Sequence, residues 1–412
     1  DQEEQHLVEC VLKRQINLGD RHWYAGDLHH HSIYSSPLYG GTDDVVESAE
    51  EVRIAMTAMG LSFGALSDHH NILNHQDWLK TKTSEFLPLP SKEISTTNGH
   101  VLSLNVLEDV IYAIPSPEDR TPSYLYGEFV RTVDEIKSLG GLAQINHPRD
   151  LQRAISLSKD MVPHVEMFDT IEIWNGSIPM EKGTTNHSSF EFWLSLLRED
   201  RFVAATTGSD THNIRANDYH QMMDQLMWLR YHLIIGADEE ESLLSTKAGM
   251  VDDFVKRIDG SIDTLELWAE ENLGTGGVRT YVHLDGSPTP DKVLNALRGG
   301  HSFLTNGPIL IPELDGKGCG DTVVVEKGAL KKTLSITFSS QRLLNTLEII
   351  GKKGIITEID VTDKVTDELN KVEINLERGM MATEDWVICR IVSDCTNMAI
   401  TNPIFIVWTE AL

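Results

Sequence analysis

The residues able to do chemistry in this chain fall in short clusters, each at the end of an apolar run. Gly26-Asp27-Leu28-His29-His30-His31-Ser32 follows Trp23-Tyr24-Ala25, and Ser67-Asp68-His69-His70-Asn71 follows Leu61 to Leu66. Glu93 and His100 come next, then Asn146-His147-Pro148, then Gly208-Ser209-Asp210-Thr211-His212. Side chains alternate faces along a strand, so His29 and His31 share a side and His30 points the other way. Two imidazoles side by side make half of a metal site. A tag-like histidine run would sit at a terminus without an apolar lead-in. Zinc, manganese and iron accept imidazole nitrogen and carboxylate oxygen, and a two-metal site needs a carboxylate shared between the ions. The candidate ligands are His29, His31, Asp68, His69, Glu93, His100, His147, Asp210 and His212, more than one ion requires. No Ser-His-Asp elbow and no phosphate-cradling Gly-rich loop competes with them.

Several neighbours carry two readings. Asp27 and Asp68 serve either as ligands or as orienters of ligating histidines. His30 and His70 are expected to face away and pack, and Glu172 falls on either face of its strand. Arg149 and Arg215 follow ligand clusters closely, so each is either a phosphate clamp or a solvated surface arginine.

The elements that would position these residues alternate. Residues 1–20 read as a polar, helical lead-in. Thr42-Asp43-Asp44 looks like a capped helix start, and Val45, Ala49, Val52, Ala55 and Met56 keep helical spacing until Gly60. Strands are expected at Leu61–Leu66, His100–Leu104, Leu142–Ile145, Thr170–Trp174 and Phe202–Thr206, with helices at Phe129–Leu139, Ser188–Leu197 and Asp291–Leu297. Strand-then-helix alternation argues for parallel β/α architecture, in which working residues sit at the carboxyl ends of strands. Residues 213–275 break the pattern and read as a helical insertion flanking the barrel mouth. Within it Met222, Met223, Leu226, Leu229 and Leu233 form a stripe expected to be core, and Asp238 to Glu241 is a solvated acidic run. From Ile311 onward, β-rich runs such as Thr333–Phe338, Thr346–Ile350 and Trp386–Cys389 predict a small antiparallel β-sandwich over 311–412 with an accessory role.

At 412 residues the chain exceeds one ordinary core, so two domains are expected. A formal charge of −28 repels phosphate backbones, which excludes nucleic acid as a natural partner. An anionic substrate would have to be neutralised locally, and bound metal does that. No run is apolar for the ~18 residues a bilayer span needs. Cys10, Cys319, Cys389 and Cys395 stand far apart and make neither a zinc knuckle nor a disulfide scaffold, with one Cys389–Cys395 bridge left open. The first residue is Asp1, which points to removal of a preceding segment; export to a periplasmic or extracellular space and a cytoplasmic home both stay open.

Taken in order, Asp27-Leu28-His29-His30-His31-Ser32, Ser67-Asp68-His69, Glu93 with Gly99-His100, Asn146-His147-Pro148 and Gly208-Ser209-Asp210-Thr211-His212 resemble the successive motifs of the PHP (polymerase and histidinol phosphatase) superfamily. Arg279-Thr280-Tyr281-Val282, Thr305-Asn306-Gly307-Pro308 and Thr401-Asn402-Pro403-Ile404 resemble its carbaryl-hydrolase-like (CehA/McbA) branch. The resemblance implies a distorted (β/α)7 TIM-like barrel over 21–310 holding two or three divalent ions (Zn, Mn or Fe). It places His29, His31, Glu93 and Asp210 on a first metal, and makes Glu93 the bridge to a second held by His100 and His147. His69 and His212 then belong to a third. Family members place an acid or histidine a few residues after the HxH. Here Ile33-Tyr34-Ser35-Ser36-Pro37 offers only hydroxyls, which leaves the third site weak, absent, or completed by substrate and water.

The expected function is a metal-dependent hydrolase acting on a small-molecule ester, a phosphoesterase first. Cations sharing Glu93 would bring a water toward hydroxide at neutral pH, and His212 or His69 would protonate the leaving alkoxide. Asp210, His212, His69 and Arg149 are the residues expected to carry the reaction. Two alternatives stand beside it: a carboxyl-ester or carbamate hydrolase, and a metal-holding binding protein without catalysis.

Overall fold

The computed structural model describes residues 16–409 apart from 114–115, 117, 119, 152–154, 177, 179, 215–217, 239–247, 272–273, 327–330, 365–367, 378–384 and 394–396. In chain order the first part contains β1 (Trp23–Asp27), α1 (Ala49–Ala58), β2 (Phe63–Leu66), α2 (His75–Lys80), β3 (Leu87–Thr96), β4 (Gly99–Leu104), α3 (Pro122–Ser138), β5 (Leu142–Ile145), β6 (Thr170–Asn175), α4 (Thr185–Arg198) and β7 (Ala204–Gly208). Two long helices, α5 (Asp218–Asp238) and α6 (Ala248–Glu271), lead into β8 (Arg279–His283), α7 (Pro290–Gly299) and β9 (Ser302–Thr305). The C-terminal strands are β10 (Ile309–Leu314), β11 (Thr322–Glu326), β12 (Lys331–Ser339), β13 (Leu344–Gly351), β14 (Gly354–Asp360), β15 (Asn370–Glu377), β16 (Trp386–Ser393), β17 (Met398–Thr401) and β18 (Ile404–Thr409).

The architecture is mixed α/β around a parallel-rich sheet. β1, β2 and β3 pair in parallel, as do β5, β6 and β7. The alternation expected throughout fails between these two blocks, where β4 runs antiparallel to both neighbours. The cause is local: only Thr97 and Asn98 separate β3 from β4, and a tight hairpin cannot return a parallel strand. Gly99, at φ +115°, supplies the left-handed conformation at that turn. β8 lies antiparallel on the other side of β1. No ladder joins β7 to β8, but the Thr207 N–H donates to Thr280 Oγ1 at 3.0 Å. Beyond the strand ends, the Asp210 N–H donates to the His29 carbonyl at 2.8 Å and the His31 N–H to the Thr211 carbonyl at 3.0 Å. The first and last parallel strands are therefore tied where the histidines sit.

Two helix starts differ from expectation. α1 begins at Ala49, not at Thr42: Ser48 caps it, and Glu51 closes a capping box worth about 1 kcal/mol. That leaves Asp43 in a loop. α3 begins at Pro122, capped by Thr121, about two turns before the expected start at Phe129. Of the lead-in, residues 1–15 lie outside the described residues, and Leu18–Arg21 form one short 3₁₀ turn.

The C-terminal region is β-rich and mostly antiparallel. β10, β12 and β15 form one three-stranded sheet, and β11, β18, β16, β17, β13 and β14 continue the main sheet through a β9–β17 ladder. Leu334, Ile336 and Phe338 from the small sheet share a core with Leu347, Ile349 and Ile391 from the large one. β11 pairs with β18 in parallel, a departure from the all-antiparallel expectation. Cys389 is a free buried thiol, and Cys395 lies outside the described residues. No helix among the described residues is long and apolar enough to cross a membrane.

Candidate metal centre

Every cluster singled out in the sequence, Asp68 and Arg149 aside, delivers a side chain to one place. His29 and His31 follow the end of β1, His69 follows β2, Glu93 and His100 lie on the β3–β4 hairpin, His147 follows β5, and Asp210 and His212 follow β7. Isolated bridges His30–Thr211 and His69–Glu93 carry the pairing past the strand ends and fix these segments against each other. Two of the donors sit in left-handed backbone. His147 and Asp210 hold φ of +26° and +48°, a left-handed region that non-glycine residues other than Asn, Asp and His seldom enter. Gly208 cannot carry a side chain, because a Cβ would lie 2.2 Å from the His29 Cβ and 2.6 Å from a Glu172 oxygen.

The innermost donors are His29, His31, Glu93 and Asp210. His29 Nε2 lies 3.1 Å from Glu93 Oε2, 3.2 Å from Asp210 Oδ1 and 3.2 Å from His31 Nε2. His31 Nε2 lies 3.0 Å from Asp210 Oδ1 and 3.4 Å from Glu93 Oε2. An ion bound at about 2.0–2.1 Å by four tetrahedral ligands sets neighbouring donors about 3.3 Å apart, so this set fits one. The two Glu93 oxygens face different groups. Oε2 faces the set just described, while Oε1 lies 2.9 Å from His100 Nδ1 and 3.0 Å from His147 Nε2 and accepts the Asn146 amide at 2.9 Å. His69, Glu93 and His100 form a second group able to hold a metal, with His147 joined to it through Glu93.

A third group contains His31, His69, His212 and a residue sequence reasoning missed, Asp43. Asp43 Oδ2 lies 3.6 Å from His69 Nε2 and 3.5 Å from His212 Nε2, and it is buried without a hydrogen bond. The loop after the HxH thus supplies its acid twelve residues beyond His31, past the hydroxyl-only stretch. The available signal was an Asp pair ahead of Val45, which reads equally well as a helix start.

Outer partners hold the rings in place. His29 Nδ1 faces Glu172 Oε1 at 3.1 Å, and Glu172 Oε2 accepts the His147 N–H at 2.9 Å. Glu172 therefore points inward. Both faces of β6 are buried, so alternation carried no information about its direction. Asp68 is not among the donors. Its Oδ1 accepts the Ser32 N–H and the Ser35 hydroxyl, both at 2.7 Å, and its Oδ2 the Ser32 hydroxyl at 2.7 Å and the Asn74 amide at 2.6 Å. Because Ser35 Oγ also lies 3.2 Å from His31 Nδ1, Asp68 orients His31 through that serine. Asp27 accepts the backbone N–H groups of His29, Ser209 and Gly276. His30 faces away, with Nδ1 2.8 Å from the His31 carbonyl and Nε2 2.9 Å from Thr275 Oγ1.

The electrostatics follow from packing acids and imidazoles together. Burial opposes charge on Glu93 and Asp210, yet the histidines around them hold both carboxyls well below the usual range. Burial also opposes a proton on His29 and His31, but Asp210 and Glu93 outweigh it, taking His29 well above its ordinary value and His31 to about 9. His69 differs: burial dominates and lowers it to about 3, so its ring is neutral and offers a lone pair. His30 is likewise lowered to about 3 by burial.

Arg149 turns from the donors to stack on α4, its guanidinium carbon 3.9 Å above the Phe192 ring, and it makes no ion pair among the described residues. Arg215 lies outside the described residues.

No family model matches this chain, and no curated protein matches it. Among solved structures it is similar to a protein from Bifidobacterium adolescentis provisionally named a metal-dependent phosphoesterase, at 14% identity and a TM-score of 0.32 over 46% of this chain and 87% of that one. It is also similar to an amidohydrolase from Chromobacterium violaceum, whose structure has bound sulfate and no metal, at 18% identity and a TM-score of 0.31 over 45% of this chain and 87% of that one.

Proposed function

We propose that this chain is a metal-dependent hydrolase of PHP type, a phosphoesterase with a di- or trinuclear centre. The observation that carries the reading is Glu93: one carboxylate with each oxygen turned to a different set of imidazoles. His29, His31, Glu93 and Asp210 would hold a first ion, and Glu93, His100 and His147 a second, with His69 in reach. Asp43, His69 and His212 would complete a third. Bound there, divalent ions of the zinc, manganese or iron kind would supply Lewis acidity, lowering the pKa of water and offsetting negative charge on the ester. The scaffold is read as a distorted (β/α)7 barrel over 21–310, closed by the hydrogen bonds between the ends of β1 and β7, with 311–412 as an accessory β-sandwich domain.

The chain's own residues do the rest. Glu172 and Asp68 hold His29 and His31 in one orientation, so little ordering remains when substrate arrives. His212 hydrogen-bonds the Asp210 carbonyl through Nδ1 at 2.9 Å, which leaves Nε2, 3.5 Å from Asp43 Oδ2, as the nitrogen available to metal or substrate. In a dinuclear centre it can hand a proton to the departing alkoxide; in a trinuclear centre it is a ligand and water takes that role. Arg149, with no carboxylate partner among the described residues, would swing from Phe192 onto an anionic oxygen.

A second reading, hydrolysis of an uncharged carboxyl ester or carbamate, draws on the loops after the ligands. Leu38, Leu73 and Leu151 there are 81%, 56% and 88% exposed and would suit an apolar leaving group. The test is turnover of p-nitrophenyl phosphate and p-nitrophenyl acetate by the metal-loaded chain beside Asp210→Ala. Phosphate turnover lost in the variant supports the phosphoesterase, and acetate turnover alone, lost likewise, supports the second reading. Bound metal with no turnover of any ester in a broad panel would overturn both in favour of a metal-holding protein.

A further inference from the structure

Helices α5 and α6 pack on one another, and their apolar residues are distributed differently. Ile258, Leu265 and Ala269 of α6 are buried. α5 is apolar around most of its circumference, and a helix of that kind is normally covered on all sides. Met223 and Leu226 pack against Leu265 and Ala269, and Arg230 pairs with Asp259 at 2.6 Å. The stripe expected to be core is thus only partly so, since Met222 and Leu229 are exposed. Another face is barer still: Met227, Trp228 and Tyr231 are 48%, 63% and 60% exposed. At 3.6 residues per turn these three share a sector of about 100°. The Trp228 ring rests on His232 one turn along, with centroids 4.0 Å apart and the planes tilted by 34°.

We propose that this face docks a second copy of the chain, with α5 packing against its counterpart about a twofold axis so that the two hairpins form a four-helix bundle. The charge distribution favours this occupant. With a net charge of −28, two copies repel each other over most of their surfaces and can meet only where charge is sparse. From Gln225 to Ala237 the one formally charged residue is Arg230, already committed to Asp259, and the exposed Asp224 one turn before Trp228 marks the N-terminal limit of the apolar face. The same net charge repels an anionic bilayer. The size also fits. A 21-residue helix is about 31 Å long. On this face the exposed parts of Met227, Trp228, Tyr231 and Ile234 present roughly 450 Å², about half of the ~800 Å² per partner of a stable interface, and flanking side chains of the α5–α6 pair make up the rest. A twofold contact places the same patch on both copies, as a single apolar face requires.

Sedimentation velocity on the full metal-loaded chain, over a wide concentration range, tests this. The expected result is a dimer whose dissociation constant rises at least about tenfold in Trp228→Glu, while Asp252→Lys on the exposed side of α6 leaves it unchanged. Melting temperatures show whether the variants fold, and Trp228→Ala serves if the glutamate does not. A monomer at every concentration, or a dimer indifferent to Trp228, would overturn the proposal. So would a monomer that floats with phosphatidylcholine vesicles, which would reassign the face to a bilayer.

Discussion

The inner donors and the outer ones lie side by side but are built to different standards. His29, His31 and Glu93 are buried, and the outward nitrogens of both histidines face fixed oxygens, Glu172 Oε1 and Ser35 Oγ. Among the outer donors, Asp43 comes from a loop, its Oδ2 has no hydrogen bond, and neither has His69 Nδ1. An imidazole held at its far nitrogen loses little freedom on binding, whereas an unheld one must be ordered at that moment. The inner set is therefore the high-affinity end of the centre and the outer set the adaptable end.

The severest challenge to that ordering is Glu93→Gln. It removes charge from the carboxylate the first two groups share, so metal analysis should find at most the outer ion and turnover should fall at least about a thousandfold. Full metal content in this variant would sink the bridging role. Glu172→Gln comes next. It keeps the shape but weakens the hold on His29, and the tightest metal affinity should fall about 10–100-fold with the weaker ones unmoved. Asp43→Asn should act in reverse, releasing only the weakest ion in a metal titration; loss of the tightest ion instead would break the distinction between the two sets.

The smallest expected effect is on stability against pH. His31 is raised to about 9 by Asp210 and Glu93 against burial, so in the metal-free chain its contribution is full below its unfolded value near 6.5 and is lost as pH rises through 9. Glu93 and Asp210 are lowered, so theirs is present above the ordinary carboxylate values and is lost as pH falls through their depressed ones. Between pH 6.5 and 9 the melting temperature of metal-free protein should drop by several degrees. Metal-loaded protein should hold or gain over that window, because ions compete with the same protons. Parallel curves for the two forms would show that the inner donors are not the ones the metal engages.

How much of this was legible depended on how local each relationship is. That His29 and His31 share a side is readable because facing follows from the spacing of two residues in one segment. Strand ends at Leu66 and Ile145 are readable because apolar runs stop there at turn residues, and the end expected at Trp174 falls one residue short of Asn175. The β3–β4 hairpin leaves no signal in the sequence, because Leu87–Thr96 is buried nearly throughout and shows no period. Glu172 was ambiguous because its partner His29 is 143 residues away. Asp43 reads as a helix acid because Thr42 and Asp44 imitate a cap, while the real cap, Ser48, stands six residues after Thr42.

By itself the sequence determined the chemical inventory and its order: imidazoles and carboxylates at successive strand ends, on an acidic chain. Those follow from residue type and short-range periodicity, which do not need the fold. Only the tertiary structure decided the assignments within that inventory. It turned Asp68 toward Ser32, Ser35 and Asn74, brought Asp43 to His69 and His212, set Glu172 behind His29, and split the two oxygens of Glu93 between neighbours on different strands. A carboxylate takes its role from the groups within about 3 Å of it, and in this protein those groups come from elements the chain joins only by folding.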